Sequence, residues 1–296
     1  MAWVATANLA AAVSDAGGLG IIAAGNLNPE KLSSEIDKLR SLTDKPFGVN
    51  LMLLSPQIEG LFEVVIEKKV PVVSTGAGNP AKYMESFKKI GTIVIPVVAS
   101  ATQAIRMEKI GADAVVAEGM EAGGHIGKLT TMVLIPEVVD SVSIPVIAAG
   151  GIADGRGVAA VLCLGAEGVQ LGTRFICSPE SEAHENFKIK LLKSRSLDAV
   201  VTGNSTGHPV RSLRNTLTKE IISLEKKGAG FEEIETVALG GLRKAVIEGD
   251  MKMGSVMAGQ SVGLVKKILP VEEIIREVFE DAKNTIKKLE EGEIDE

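Results

Sequence analysis

The segment Glu118-Gly119-Met120-Glu121-Ala122-Gly123-Gly124-His125-Ile126-Gly127-Lys128 sets an imidazole among glycines directly after a β-branched run, Ala114–Ala117. Imidazole titrates near neutral pH and can give or take a proton during turnover. Loops at strand ends are where such groups collect. His125 is therefore the candidate catalytic residue; the plainer reading is a ring that only hydrogen-bonds its own loop.

Two glycine-rich turns suggest an anion site. Ala148-Ala149-Gly150-Gly151-Ile152-Ala153-Asp154-Gly155 follows the run Pro145–Ala149 and leads into a helix. Its backbone amides, with the partial positive charge of a helix start, suit a phosphate that no Cβ keeps away. Taken alone it is equally a tight βα corner. Gln170-Leu171-Gly172-Thr173-Arg174-Phe175 ends the next strand and adds a hydroxyl at Thr173. In barrels the loops after the last strands often build a phosphate site together.

Further candidates stand at other strand ends. Asn50, in Phe47-Gly48-Val49-Asn50-Leu51-Met52, offers a donor and an acceptor to a planar ligand edge, or only forms a turn. Thr75 and Gly76, in Ser74-Thr75-Gly76-Ala77-Gly78-Asn79, face the same mouth in this reading, and Gly254–Ser261 lines it from a lid. His208 sits before Pro209 and is rigidly placed; His184 lies in a polar run and reads as solvated. No His, Cys, Asp or Glu cluster has metal spacing, and there is no Gly-x-Ser-x-Gly elbow. No strand carries the Lys of a barrel aldolase. So few strong nucleophiles imply a cofactor that carries the electrons.

The elements that position these groups repeat. Strand-like runs at Leu19–Ala24, Phe47–Leu51, Val70–Thr75, Thr92–Val98, Ala114–Ala117, Pro145–Ala149 and Gly168–Leu171 alternate with helix-period segments such as Pro29–Leu42, Pro56–Lys68, Pro80–Ile90 and Ser100–Ile110. Asn28, Ser55 and Asn79 each stand before a proline, a polar cap ahead of a first helical turn. Alternation predicts a parallel sheet covered by helices, closed as a (β/α)8 barrel or open and doubly wound. A barrel needs eight strands, and seven are countable. The chain opens instead on a helix, Ala5–Ala16, so a strand is expected upstream of it or replaced. After residue 178 the pattern predicts helices at Pro179–Lys193, Ser212–Lys227, Phe231–Ile247 and Pro270–Glu291. The expected division is 1–178 for the barrel, 179–260 for a helical lid and 261–296 for closing helices, with Lys287–Glu296 a solvated charge run.

Composition bounds the rest. With 296 residues, 45% hydrophobic and 24% charged, the chain is a folded globular protein. A net charge of −6 argues against a nucleic-acid partner. No run of roughly 20 apolar residues predicts a membrane span, and no signal peptide opens the chain. Cys163 and Cys177 read as packing residues in a reducing, cytoplasmic setting.

In combination, several motifs resemble the nitronate monooxygenase (2-nitropropane dioxygenase) family. They are Met1-Ala2-Trp3-Val4-Ala5, Ala16-Gly17-Gly18-Leu19-Gly20, Phe47-Gly48-Val49-Asn50, Glu121-Ala122-Gly123-Gly124-His125, Ala149-Gly150-Gly151-Ile152 and Leu171-Gly172-Thr173-Arg174-Phe175. Within it, Glu118–Met132 and Thr75–Pro80 look like the FMN-dependent enoyl-acyl-carrier-protein reductases of the FabK type. The resemblance spans nearly the whole chain. It implies an FMN barrel with the FMN phosphate at Gly150, Gly151, Gly172 and Thr173. It sets Ala2, Trp3 and Asn50 beside the flavin ring, and Glu118, Gly123, Gly124, Ala149 and Gln170 also on the cofactor side. His125 matches the active-site histidine. Thr75, Gly76, His208, Met257, Ala258, Gly259 and Gln260 fall on the substrate and lid side.

The implied reaction is reduction of a 2-enoyl thioester by NADH or NADPH, with a monovalent cation as supporting ion. The alternative on the same site is oxidation of an alkyl nitronate with O2. Substrates are small molecules or groups linked to acyl carrier protein, and a homodimer is expected. A non-catalytic phosphate-ligand binder is the reading from another class. One departure stands out. Family members carry a strand of the type Pro-Ile-Phe-Gln-Gly-Gly ahead of the Met-Ala-Trp segment, where this chain begins, which points to a start site set too far downstream or a truncated chain.

Overall fold

The computed structural model describes residues 1–292. Ten strands follow in chain order: β1 (Gly20–Ala23), β2 (Phe47–Met52), β3 (Val72–Gly76), β4 (Ile93–Val98), β5 (Val115–Glu118), β6 (Gly124–His125), β7 (Val146–Ala149), β8 (Gly168–Gln170), β9 (Ala199–Thr202) and β10 (Val210–Leu213). The helices among the first eight strands are α1 (Ala7–Asp15), α2 (Pro29–Leu42), α3 (Ile58–Glu67), α4 (Ala81–Lys89), α5 (Ala101–Lys109), α6 (Thr131–Val139) and α7 (Gly155–Cys163), with the single turn α8 (Thr173–Ile176) after β8. Beyond them come α9 (Glu185–Leu192), α10 (Thr216–Lys226), α11 (Phe231–Ala238), α12 (Gly241–Val246) and α13 (Val271–Glu290).

Seven strands form one curled parallel sheet in the order β1-β2-β3-β4-β5-β7-β8. Alternation along each strand separates two cores. Val72, Ile95, Val116 and Ala149 meet inside the curl. Val49, Leu51, Val73 and Val94 face outward and pack under Leu32, Ile36, Leu61 and Phe87 of the covering helices. The helix faces follow from spacing: Leu32, Ile36 and Leu39 recur on one side of α2 and are fully buried. Asn28 accepts from the Lys31 amide, and Pro29 opens that helix.

The curl is a barrel short of one stave. β1 and β8 are the edges of the sheet. Between them runs a slot of about 260 Å³ lined by Ile21, Val169, Leu171, Leu9, Val13 and Phe279. The last helix, α13, lies across α7 so closely that a Cβ on Gly155 would fall 2.4 Å from the Ala282 nitrogen.

All seven sequence-predicted strands are present. What periodicity did not reveal is a second, antiparallel sheet, β6-β10-β9, which joins the His125 segment to residues 199–213. Ser212 and Leu213, expected to open a helix, end β10 instead. The expected helix 179–193 is shortened to α9, capped by His184, whose Nδ1 accepts from the Asn186 amide. That contact gives His184 a structural place in the fold in addition to a polar setting. The stretch 231–247 is two helices, broken at Gly240 with φ 71°. Residues 254–259 are irregular, and a short 3-10 turn follows at Gln260–Leu264. The charge run expected over Lys287–Glu296 begins in α13, and its last four residues lie outside the described residues.

Candidate functional site

The two glycine turns leave neighbouring strands at the same end, because Ala149 of β7 pairs with Gln170 of β8. Gly150 and Gly151 both take left-handed conformations, φ 93° and 75°, which side chains rarely adopt. Gly150 also leaves room for Gly119, whose carbonyl oxygen would lie 2.6 Å from a Cβ there. Thr173 is buried, and its Oγ1 accepts from the Gly259 amide at 2.9 Å. The hydroxyl proton is thereby left to donate, the polarity an anion needs. Met1 lies over Gly172, its Sδ 3.3 Å from where a Cβ would be.

On the far side of the curl, Asn50 Nδ2 donates to Ser74 Oγ at 3.2 Å. Ser74 lines the interior slot with Ile95 and Val116. Thr75, one residue on, therefore projects to the opposite face, on the side of Val73 and the helix layer. Its hydroxyl is buried without a partner among the described residues. Alternation turns the two side chains apart, and of this pair Ser74 is the one that lines the slot. Gly76 ends β3 opposite Met52. Ala2 and Trp3 lie in an N-terminal turn closed by Val4 and Ala5 amides on the Met1 carbonyl. Trp3 holds φ 63°, an uncommon conformation for an aromatic residue.

The His125 segment is a two-residue strand. Val210 pairs with His125 and Arg211 with Gly124. Gly123 is glycine because a Cβ would meet the Ala258 carbonyl carbon at 2.6 Å and the Gly259 nitrogen at 2.7 Å. Its reason is contact between two backbones, and the close approach brings the segment Met257–Gln260 onto the site. Gln260 donates its amide to the Glu121 carbonyl. His208 packs its ring on Phe231 of α11, centroids 4.7 Å apart.

Sequence reasoning missed three supports. The Glu121 carboxylate accepts from Thr131 N and Thr131 Oγ1, each at 3.0 Å. Thr131 Oγ1 also lies 3.0 Å from the Gly150 carbonyl, so this cluster ties the His125 loop to the first glycine turn. Arg211 is buried within β10. A charged residue between Val210 and Leu213 was the available signal, since buried charge needs partners.

Comparison with known proteins identifies the family. The nitronate monooxygenase family profile matches residues 1–63 and 57–281. The chain belongs to the nitronate monooxygenase family. Among solved structures it is similar to FabK from Thermotoga maritima, with 54% identity and a TM-score of 0.95 over 98% of this chain and 93% of that one. A nitroalkane oxidase from Streptomyces ansochromogenes is 30% identical, with a TM-score of 0.84 over 98% and 95%. A (3aS,4S,5R,7aS)-5-hydroxy-7a-methyl-1-oxo-octahydro-1H-indene-4-carboxyl-CoA dehydrogenase of Mycobacterium tuberculosis is 40% identical over 226 residues, 75% of this chain and 64% of that one. A probable nitronate monooxygenase of Staphylococcus aureus is 36% identical over 308 residues, 88% and 86% of the two chains.

For an oxidoreductase of the nitronate monooxygenase family, the proton inventory of the site is informative. Glu118 ends β5 on the inward-facing register of Val116. Burial pushes its carboxyl up to about 7, with the chain's amino terminus pulling the other way. His125 is held below its usual value by burial first and by His208 second, with Glu235 opposing. Near neutral pH the carboxyl is thus partly protonated and exchanges its proton there, while the imidazole is neutral and offers one N–H.

Proposed function

We propose that this member of the nitronate monooxygenase family is an FMN-dependent reductase of 2-enoyl thioesters, with NADH or NADPH as reductant. The likeness to FabK of Thermotoga maritima over almost the entire chain carries this reading. The thioester named in the mycobacterial relative, a CoA derivative, agrees in substrate class. Two turns at the ends of paired strands, with a Thr173 hydroxyl oriented by Gly259, supply donors suited to the FMN phosphate. Asn50, Ala2 and Trp3 would stand beside the flavin ring, and Glu118, Gly123, Gly124, Ala149 and Gln170 around it. When bound, the flavin supplies hydride transfer, which no side chain of the protein can perform.

The residues of the chain do the rest. His125 is on the exposed rim and donates its N–H to the thioester carbonyl, while Glu118 holds a proton deeper in the curl. His208 and Met257–Gln260 bound the approach from the lid side. An acyl-carrier-protein-linked substrate and a homodimer belong to the same proposal, with a monovalent cation as supporting ion.

Nitronate oxidation is the second reading, favoured by the probable nitronate monooxygenase of Staphylococcus aureus and the nitroalkane oxidase of Streptomyces ansochromogenes. Flavin-loaded protein given NADH and a crotonyl thioester without oxygen separates the two. Stoichiometric NADH loss is expected. Oxygen uptake with propyl nitronate, and no NADH loss with the thioester, would replace the first reading by the second.

A further inference from the structure

A two-residue strand is a weak way to hold a catalytic imidazole. β6 touches the rest of the molecule through its register with β10, extended by the Ile126 amide donating to the Pro209 carbonyl. Its loop begins four residues earlier, at Met120, where a second fastening exists. Arg211 is 4% exposed, and its guanidinium reaches out of β10 to that loop. Nε and Nη2 both donate to the Met120 carbonyl, at 3.1 and 3.0 Å, and Nη1 donates to the Ala199 carbonyl of β9 at 3.2 Å. One planar fork thus joins β9, β10 and the loop that ends in His125. Glu121, next in that loop, is the opposing charge nearby. A buried cation bonded to carbonyls is costly to keep unless its geometry matters, and an apolar residue would fill a strand interior more simply.

We infer that Arg211 is a positioning residue: its fork on the Met120 and Ala199 carbonyls fixes the loop 120–125 and so the place of the His125 ring. The inference rests on the proposed role of His125, yet part of its test does not depend on any reaction. Arg keeps both carbonyls in reach because its donors form a rigid fork; Lys preserves the charge and can satisfy only one of them well.

The test compares Arg211→Lys and Arg211→Met with the parent, all flavin-loaded. Arg211→Met should keep its flavin while kcat falls at least roughly tenfold and KM moves little, and Arg211→Lys should recover part of the loss. Independently of turnover, hydrogen exchange of the His125 segment, at the Ile126 amide bonded to the Pro209 carbonyl, should rise at least about threefold in Arg211→Met, read by peptide mass spectrometry, because a loop that opens locally breaks that bond. Unchanged kcat, or a loss that only tracks the folded, flavin-bearing fraction, would overturn the inference. So would unaltered exchange at the Ile126 amide in both variants. If no variant or parent reduces the thioester but exchange at the Ile126 amide still rises, the positioning role stands and the proposed reaction fails.

Discussion

At the scale of single residues, the site inverts the usual order of proton affinities. A carboxyl, Glu118, rises to about 7 because burial penalises its charged form, while His125 drops for the same reason acting on the opposite charge. The consequence for stability has a definite sign. The native state holds the Glu118 proton more tightly than the unfolded chain, so this contribution is full below the ordinary glutamate pKa of about 4.3. It is lost as pH climbs through about 7. The loss is on the order of 3–4 kcal/mol across that window. Urea midpoints of flavin-free protein at pH 5 and pH 8 should therefore show the parent losing more stability than Glu118→Gln; parallel behaviour would contradict the buried carboxyl. The sequence singled out His125 because glycines and a strand end surround it, and the structure places it on the short strand β6, paired with Val210 of β10. Which of Ser74 and Thr75 turns inward was not legible, because the sequence shows where a strand ends but not which face a given side chain takes. Ser74 is the inward one.

Among elements, contacts between loops matter more than the loops' own propensities. Gly123, first singled out beside His125, is glycine because the Ala258–Gly259 backbone passes against it. The same backbone supplies the amide that orients Thr173. Gly123→Ala should push this segment away, since the obstruction is backbone and cannot rotate aside. A lower Tm and at least roughly tenfold weaker flavin retention are expected. Gly168→Ala is the control: its Cβ would meet only Ile147 at ordinary contact distance, 3.6 Å. Equal effects of the two substitutions would refute the argument. The seven parallel strands could be read from short apolar runs, most of them β-branched, recurring between helix-period segments. β6 could not be, being two residues long and paired with β10 across a long stretch of chain, and β9 and β10 are four residues each with polar residues among the apolar ones. A signal for the hairpin existed in the cluster Gly203-Asn204-Ser205-Thr206-Gly207 between two Val-containing runs.

For the whole molecule, counting alternating elements anticipated both the barrel and its gap. Seven strands curl around one interior, and the slot between β1 and β8 has the apolar lining of a strand-sized space. Residues 179–260 were expected to be helical, and their hairpin came only from the structure because β10 pairs with a segment far earlier in the chain, Val210 with His125. Family membership joins these levels, since the FabK match covers 98% of the chain, the parallel sheet and the antiparallel hairpin alike. The central claim is that turns 150–151 and 172–173 hold the phosphate of a mononucleotide. Titrating flavin-free protein with FMN and with riboflavin measures that phosphate alone. Charge-assisted hydrogen bonds of about 1.5–3 kcal/mol predict FMN binding at least roughly 30-fold tighter, with Thr173→Val narrowing the difference. Equal affinities for the two flavins, or a difference untouched by Thr173→Val, would contradict it.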